Sequence, residues 1–234
     1  MTGPRQSDRF QTTVWSQIRA ARSDEAAIHA LVLTYWTPVY AFLRRSGLSD
    51  EDAIESTQAF VCDRLLNRRL IEHADERRGR FRNLLLRSLK NYLIDQKAKE
   101  RDGAHQTLLD ARTPRPPLGR ESSSPEESFE REWARFLFQE TLRRTEQQCH
   151  SAGQTIHWTA FERAHPELFS HGLSRRPAND EIAQEVGARD AAHVSILLNT
   201  VRRKYKRILC ELISETLEDG ESVESEIERL RAAL

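Results

Sequence analysis

The stretch DEAAIHALVLTYWTPVYAFLRRS, residues 24–46, decides the fold class. Ile28, Leu31, Val32, Tyr35, Trp36, Val39, Tyr40 and Leu43 recur at steps of three and four, the period of a helix that buries one face. Pro38 lacks an N–H for the helix ladder, so a kink is expected near Thr34–Pro38. Gly47 ends the run. Downstream, Ser49 opens a second helix with Asp52 three residues on, and Ala53, Ile54, Thr57, Phe60, Val61 and Leu65 carry its stripe to about Asn67. Phe81, Leu84, Leu85, Ser88, Leu89, Tyr92 and Leu93 mark a third helix over 80–99. Upstream, FQTTVWSQI (10–18) is a short amphipathic piece whose Trp15 is expected to anchor onto this group. Amphipathic helices with short connections bury their faces by packing on one another, so 10–100 reads as one helical domain.

Beyond it the composition changes. Residues 101–128, ending in PRPPLGRESSSPEES, are rich in proline and serine and poor in apolar side chains, which reads as a flexible linker. Helical patterning resumes with Phe129, Trp133, Phe136, Leu137 and Leu142, weakens around Trp158, Phe161, Leu168 and Phe169, and returns in NDEIAQEVG (179–187) and a helix over 190–214. A second domain over 129–214 and an acidic tail or helix over 215–234 complete the expected plan: all-α, two small domains, one linker. Segment 211–228 holds eight acidic side chains and no basic one.

Of 234 residues, 38% are apolar and 31% charged, with a formal net charge of zero, so any attraction for a polyanion must be local. Three cysteines at wide spacing form neither a disulfide framework nor a metal knuckle, and the apolar surroundings of Cys62 and Cys210 read as small buried thiols. The opening MTGPRQSDRF has no apolar signal core, and no uninterrupted apolar run approaches the roughly 20 residues of a membrane span, so a cytoplasmic location is expected.

Local charge is concentrated twice. Between Arg77 and Arg101, nine basic side chains face only Asp95 and Glu100, a net of plus seven. Asn91 and Tyr92 lie within this stretch, an amide able to read a base edge and an aromatic able to stack or to join the core. Later, Arg202, Arg203, Lys204, Lys206 and Arg207 put five basic residues in six positions. Such density favours a phosphate partner, against the alternative of a solvated face neutralised by the acidic segment 211–228. Ala183 and Gly187 ahead of it give the small residue and the turn that two crossing helices require, with Ile182, Val186, Val194, Leu197 and Val201 facing inward. This is a helix-turn-helix pattern, whose second helix enters a major groove while flanking basic residues hold phosphates.

Several motifs together resemble the extracytoplasmic-function class of bacterial RNA polymerase sigma factors, in a divergent branch of planctomycete type. TTVWSQI, YWTPVYAFLRRSG, GLSDEDAIESTQAF with Asp52, Ala53, Gln58 and Phe60, and GRFRNLLLRSLKNYLIDQKAK with Asn91 and Asp95 carry the resemblance, which is strong over 10–100 and weaker over 129–214. It implies that Asp52, Glu55 and Gln58 dock on the clamp of core RNA polymerase. It implies that Arg77, Arg78, Arg80, Arg82, Arg87, Lys90, Asn91, Lys97 and Lys99 hold the minus-ten element as a single strand. It implies that Ser195, Asn199, Arg202, Arg203, Lys204 and Lys206 meet the minus-thirty-five element as duplex, with 101–128 spanning between. Promoter DNA and core polymerase are then the partners, and the class allows an inhibitory anti-sigma protein. The chain departs from the pattern at Leu84, where many relatives carry tryptophan, and at Asn199-Thr200, where a basic pair is common.

The rival reading is a helix-turn-helix regulator, or a polymerase-interacting protein that does not melt promoters. No nucleotide-binding loop, HExxH, GxSxG or Cys-His metal spacing occurs, and Glu72-His73 and Cys149-His150 are isolated pairs. The expectation is therefore a non-enzyme with no cofactor, no metal, no small-molecule substrate and no membrane span.

Overall fold

The computed structural model describes residues 14–75, 79–103, 123–169, 175–214, 216–217 and 222–234. All regular structure among them is helical. The chain divides into two compact units, one of Met1–Phe136 with Ile213–Leu234 and the other of Leu137–Leu212.

In the first unit, α1 (Val14–Ala21) precedes α2 (Glu25–Arg45), which Asp24 caps by accepting the Ala26 N–H at 3.0 Å. Helix α2 continues through Pro38, a buried position. It is also long and apolar enough, by length and composition alone, to cross a membrane, contrary to the expectation that no segment would be. In this fold its stripe of Ile28, Leu31, Tyr35, Val39 and Leu43 is buried. Gly47, at φ +98°, turns the chain into α3 (Asp50–Val61), and a five-residue π-helical turn, Cys62–Leu66, follows. Short α4 (Arg69–Glu72) begins after Arg68, which sits at a left-handed φ of 58°. Helix α5 (Phe81–Gly103) brings Phe81, Leu85 and Leu89 to the core.

Aromatic rings join these helices. Phe81 meets Tyr35 edge-on at 5.6 Å and Trp15 at 6.4 Å, so Trp15 anchors α1 as expected. Tyr35 also stacks with Phe129, at 6.4 Å. Phe129 belongs to α6 (Pro125–Ser151), whose first half is part of this unit together with α10 (Val223–Ala233). The boundary between units therefore falls within α6, between Phe136 and Leu137, and not in the proline- and serine-rich stretch. Residues 104–122 of that stretch lie outside the described residues, whereas 125–128 are the first turn of α6. Periodicity identified Phe129 and Trp133 as buried, but it carries no information about which helices bury them.

The second unit contains the rest of α6, then α7 (Thr155–Ala164), α8 (Asn179–Val186) and α9 (Ala191–Ser214) as far as Leu212. Its core gathers Cys149, Trp158, Phe161, Ile182, Ala183, Val194, Leu197, Leu198 and Val201. Gly187 at φ +71° closes α8, and Asp190 starts α9 by accepting the His193 N–H at 2.7 Å. His193 in turn accepts the Arg189 N–H through Nδ1 at 3.2 Å, a structural role. Cys62 departs from expectation. It is exposed, because Phe60, Val61 and Leu65 take the inward positions on either side of it.

Candidate nucleic-acid interface

Helix α5 presents one stripe to solvent. Asn83, Arg87, Lys90, Asn91, Ile94 and Lys97 recur at three- and four-residue steps and are all exposed, as are Asp95 and Ala98, so one carboxylate shares the surface with three cations. Lys90 Nζ lies 2.7 Å from Glu126, and this hydrogen bond is the main reason the Glu126 carboxyl is held below the usual carboxylate range. Ile94 is 64% exposed, and an apolar residue so placed among amides and cations is what a base face can lie on. Sequence reading passed over Ile94 and Asn83 because neither is cationic; helical spacing from Arg87 and Asn91 would have found both. Tyr92 turns instead toward Phe60, ring centroids 5.5 Å apart, and its hydroxyl accepts from Gln96 Nε2 at 2.6 Å. Its packing is therefore with the core edge.

Two of the nine expected strand-binding residues are not on this surface. Arg80 is 5% exposed and Arg82 3%, and both turn inward onto Glu226 of α10, itself 2% exposed. Arg80 Nη1 lies 3.0–3.1 Å from the two Glu226 oxygens, and Arg82 Nη2 donates to Oε1 at 2.6 Å. Arg82 also stands 4.3 Å over the Trp133 ring and 3.3 Å from Glu130. Burial pushes the Glu130 carboxyl above its usual range, outweighing the Arg82 charge that pulls it down. The expectation that these two guanidiniums face solvent is corrected by this ion cluster. Arg77, Arg78 and the Lys99 side chain lie outside the described residues.

On α3, Glu55 and Gln58 are exposed on one side together with Glu51 and Ile54. Asp52 is turned toward the helix start, where its N–H donates to Ser49 Oγ at 3.2 Å and its carboxylate accepts from the same hydroxyl. Asp52 and Glu55 also line a groove of about 490 Å³ with Tyr92, Gln96 and Lys97. Carboxylates along this groove repel phosphate, so the α5 surface open to a polyanion is the one carrying Arg87 and Asn91, with Lys97 at its border with the groove.

On α9, Ser195, Asn199, Arg202 and Lys206 form one exposed line, with Arg203 beside it. Asn179 Nδ2 donates to Ser195 Oγ at 3.0 Å, which ties the start of α8 to this face. Lys204 is on the other side. Its Nζ donates to the Gln148 carbonyl at 3.4 Å, near the C-terminal end of α6, where a cation is favoured. Arg207 is engaged by Glu211 at 2.8 Å and by Gln148 Oε1 at 2.6 Å. Ile196, 61% exposed, adds an apolar contact beside Ser195 and Asn199 that reading by charge had missed.

No family model, curated protein or solved structure matches this chain.

Proposed function

We propose that the chain is a sigma factor that binds core RNA polymerase, recognises promoter DNA and holds it open, working in the cytoplasm without cofactor or bond chemistry. The observation that carries this reading is the pairing of two dissimilar surfaces. One is the α5 surface of Arg87, Lys90, Asn91, Ile94 and Lys97, where three cations are exposed together with an amide and an isoleucine. The other is the α9 line of Ser195, Asn199, Arg202 and Lys206 behind the Gly187 turn.

The two suit different forms of DNA. A single strand offers base faces as well as phosphates, and an amide, an isoleucine and flanking cations address both. A duplex offers base edges in its major groove, where a helix following a tight turn places short polar side chains against bases and arginines against phosphates. In this reading α8 and α9 are a helix-turn-helix, and the units of the fold correspond to a melting domain and a duplex-reading domain. Opening DNA costs about 1.4 kcal/mol per stacking step, which strand capture by α5 partly offsets. The exposed Glu55 and Gln58 give α3 the acidic and amide face that a basic coiled coil of the polymerase accepts.

Run-off transcription with purified core polymerase and a library of genomic fragments tests the proposal. Discrete transcripts that need the chain, with permanganate-reactive thymines upstream of their starts, are expected. Tight sequence-specific duplex binding by the chain alone, with no transcript and no reactive thymine, would instead identify a regulator.

A further inference from the structure

Arg80 and Arg82 are buried, whereas Arg87, Lys90 and Lys97 of α5 are exposed, and the buried carboxylate that both arginines meet is Glu226, more than 140 positions away. Helix α10 has 11 residues, of which only Glu226 and Leu230 are buried. A helix of that length is marginal on its own in water, so its place depends on tertiary contacts: these two, and the hydrogen bond that Arg131 Nε donates to the Ala233 carbonyl at 3.1 Å. Leu230, Arg229 and Ala233 of α10 wall one side of a cavity of about 270 Å³, and Arg80, Arg82, Asn83 and Glu130 wall the rest. Asn83 is also the first residue of the exposed α5 stripe, so removing the α10 wall joins Arg80 and Arg82 to that stripe. One further feature points to an absent acceptor. The Arg82 Nη1 donor is buried and has no hydrogen-bond partner among the described residues. A buried donor left unmade is costly, and a phosphate oxygen would satisfy it.

We propose that α10 is an autoinhibitory clasp: Glu226 holds Arg80 and Arg82 in the place of DNA phosphate, and release of α10 hands both guanidiniums to the single strand bound along α5. Carboxylate and phosphate oxygens accept the same charge-assisted hydrogen bonds from a guanidinium, so helix and strand compete for one set of donors. The concentration of acid in 211–228 keeps non-specific polyanions from displacing it. This inference rests on the strand-binding role proposed for α5.

The test uses the full chain, a short fluorescein-labelled single strand and anisotropy titrations across a salt series, with hydrogen exchange of 223–233 followed in parallel. Glu226→Gln removes the charge that holds the arginines, and Leu230→Ala loosens the helix without touching any charge. Both variants are expected to exchange faster in α10 and to bind the strand about tenfold tighter at low salt. The plot of log affinity against log salt should steepen by about 1.4, the share of two added phosphate contacts on a single strand. If circular dichroism shows that Glu226→Gln does not fold, Leu230→Ala decides alone. Faster exchange in α10 with unchanged affinity and slope would overturn the clasp and leave the arginines a purely structural pair. Unchanged exchange in both variants would overturn it too. If instead the parent chain holds no strand and Arg87→Ala with Lys97→Ala changes nothing, the reading of α5 itself fails, and the clasp with it.

Discussion

The two basic regions of this chain look alike in sequence and are handled in opposite ways by the fold. In 77–101 the basic residues divide by burial. Arg80 and Arg82 go inward to Glu226, while Arg87, Lys90 and Lys97 stay outside. In 202–207, Arg202, Arg203 and Lys206 are exposed, Lys204 turns to the Gln148 carbonyl, and Arg207 meets Glu211 and the Gln148 side chain. Charge density therefore does not by itself mark a ligand surface. What sets Arg80 and Arg82 apart is that their carboxylate is itself buried; Lys90 and Arg207 also meet acids of the chain, Glu126 and Glu211, but neither of those pairs is buried. Glu226 lies more than 140 positions from both arginines, a separation that no local pattern reports.

The largest effect that would break this contrast is on stability. Arg82→Ala leaves Glu226 buried with reduced compensation and exposes one face of Trp133, and should lower the unfolding free energy by about 3–5 kcal/mol. Arg202→Ala should stay within about 0.5 kcal/mol of the parent. Urea titrations followed by circular dichroism measure both, and equal costs would mean that the buried cluster is no different from a surface pair. For the same reason, reversing Arg80 and Arg82 to glutamate tests folding before it tests DNA opening.

Next in size is the effect on the base reading proposed for α9. Asn199→Ala should cost about 1–3 kcal/mol of discrimination at a single base pair and leave non-specific duplex affinity nearly intact. Selection from a randomised duplex library with the polymerase complex would reveal the relaxed position; a uniform loss at all positions would assign Asn199 to backbone contact. A smaller change sharpens the α5 side. Arg87→Ala with Lys97→Ala should flatten the salt dependence of single-strand binding by about 1.4 in slope, while duplex binding through α9 keeps its own slope.

The smallest effect concerns pH. Burial holds the folded Glu130 carboxyl above its ordinary range, so the folded chain takes up this proton more readily than the unfolded chain does. Its contribution to stability is thus greatest at low pH and is lost as pH rises from about 4 through the raised value. Glu130→Gln should remove that part of the decline in the urea midpoint. A parent and variant with parallel pH profiles would show that Arg82 and not burial governs the group.

Much of the fold was legible from periodicity alone. The stripes from Ile28 to Leu43 and from Phe81 to Leu93, and the turn at Gly187, each answer to a local rule of spacing or backbone sterics. What could not be read is which surfaces meet. Phe129 and Trp133 signal a buried helix face but not that Tyr35 and Arg82 are what they meet, and Glu226 reads as one acid among eight. The exposed stripe of α5 was half visible. Its cations stand out in the sequence, whereas Asn83 and Ile94 acquire meaning only once the helix fixes which residues share a face with Arg87. Cys62 shows the same limit from the other side, an apolar neighbourhood in sequence that leaves the thiol in solvent.

The assignment of separate DNA forms to α5 and α9 can be tested in one measurement. Promoter DNA carrying photoreactive uracils in either the opened stretch or the upstream duplex is irradiated in complex with polymerase and the chain, and the crosslinked peptides are identified by mass spectrometry. Crosslinks from the opened strand should fall on α5, between residues 83 and 97, and those from the duplex on α9, between 195 and 206. Opened-strand crosslinks on α9, or none on α5, would contradict the account.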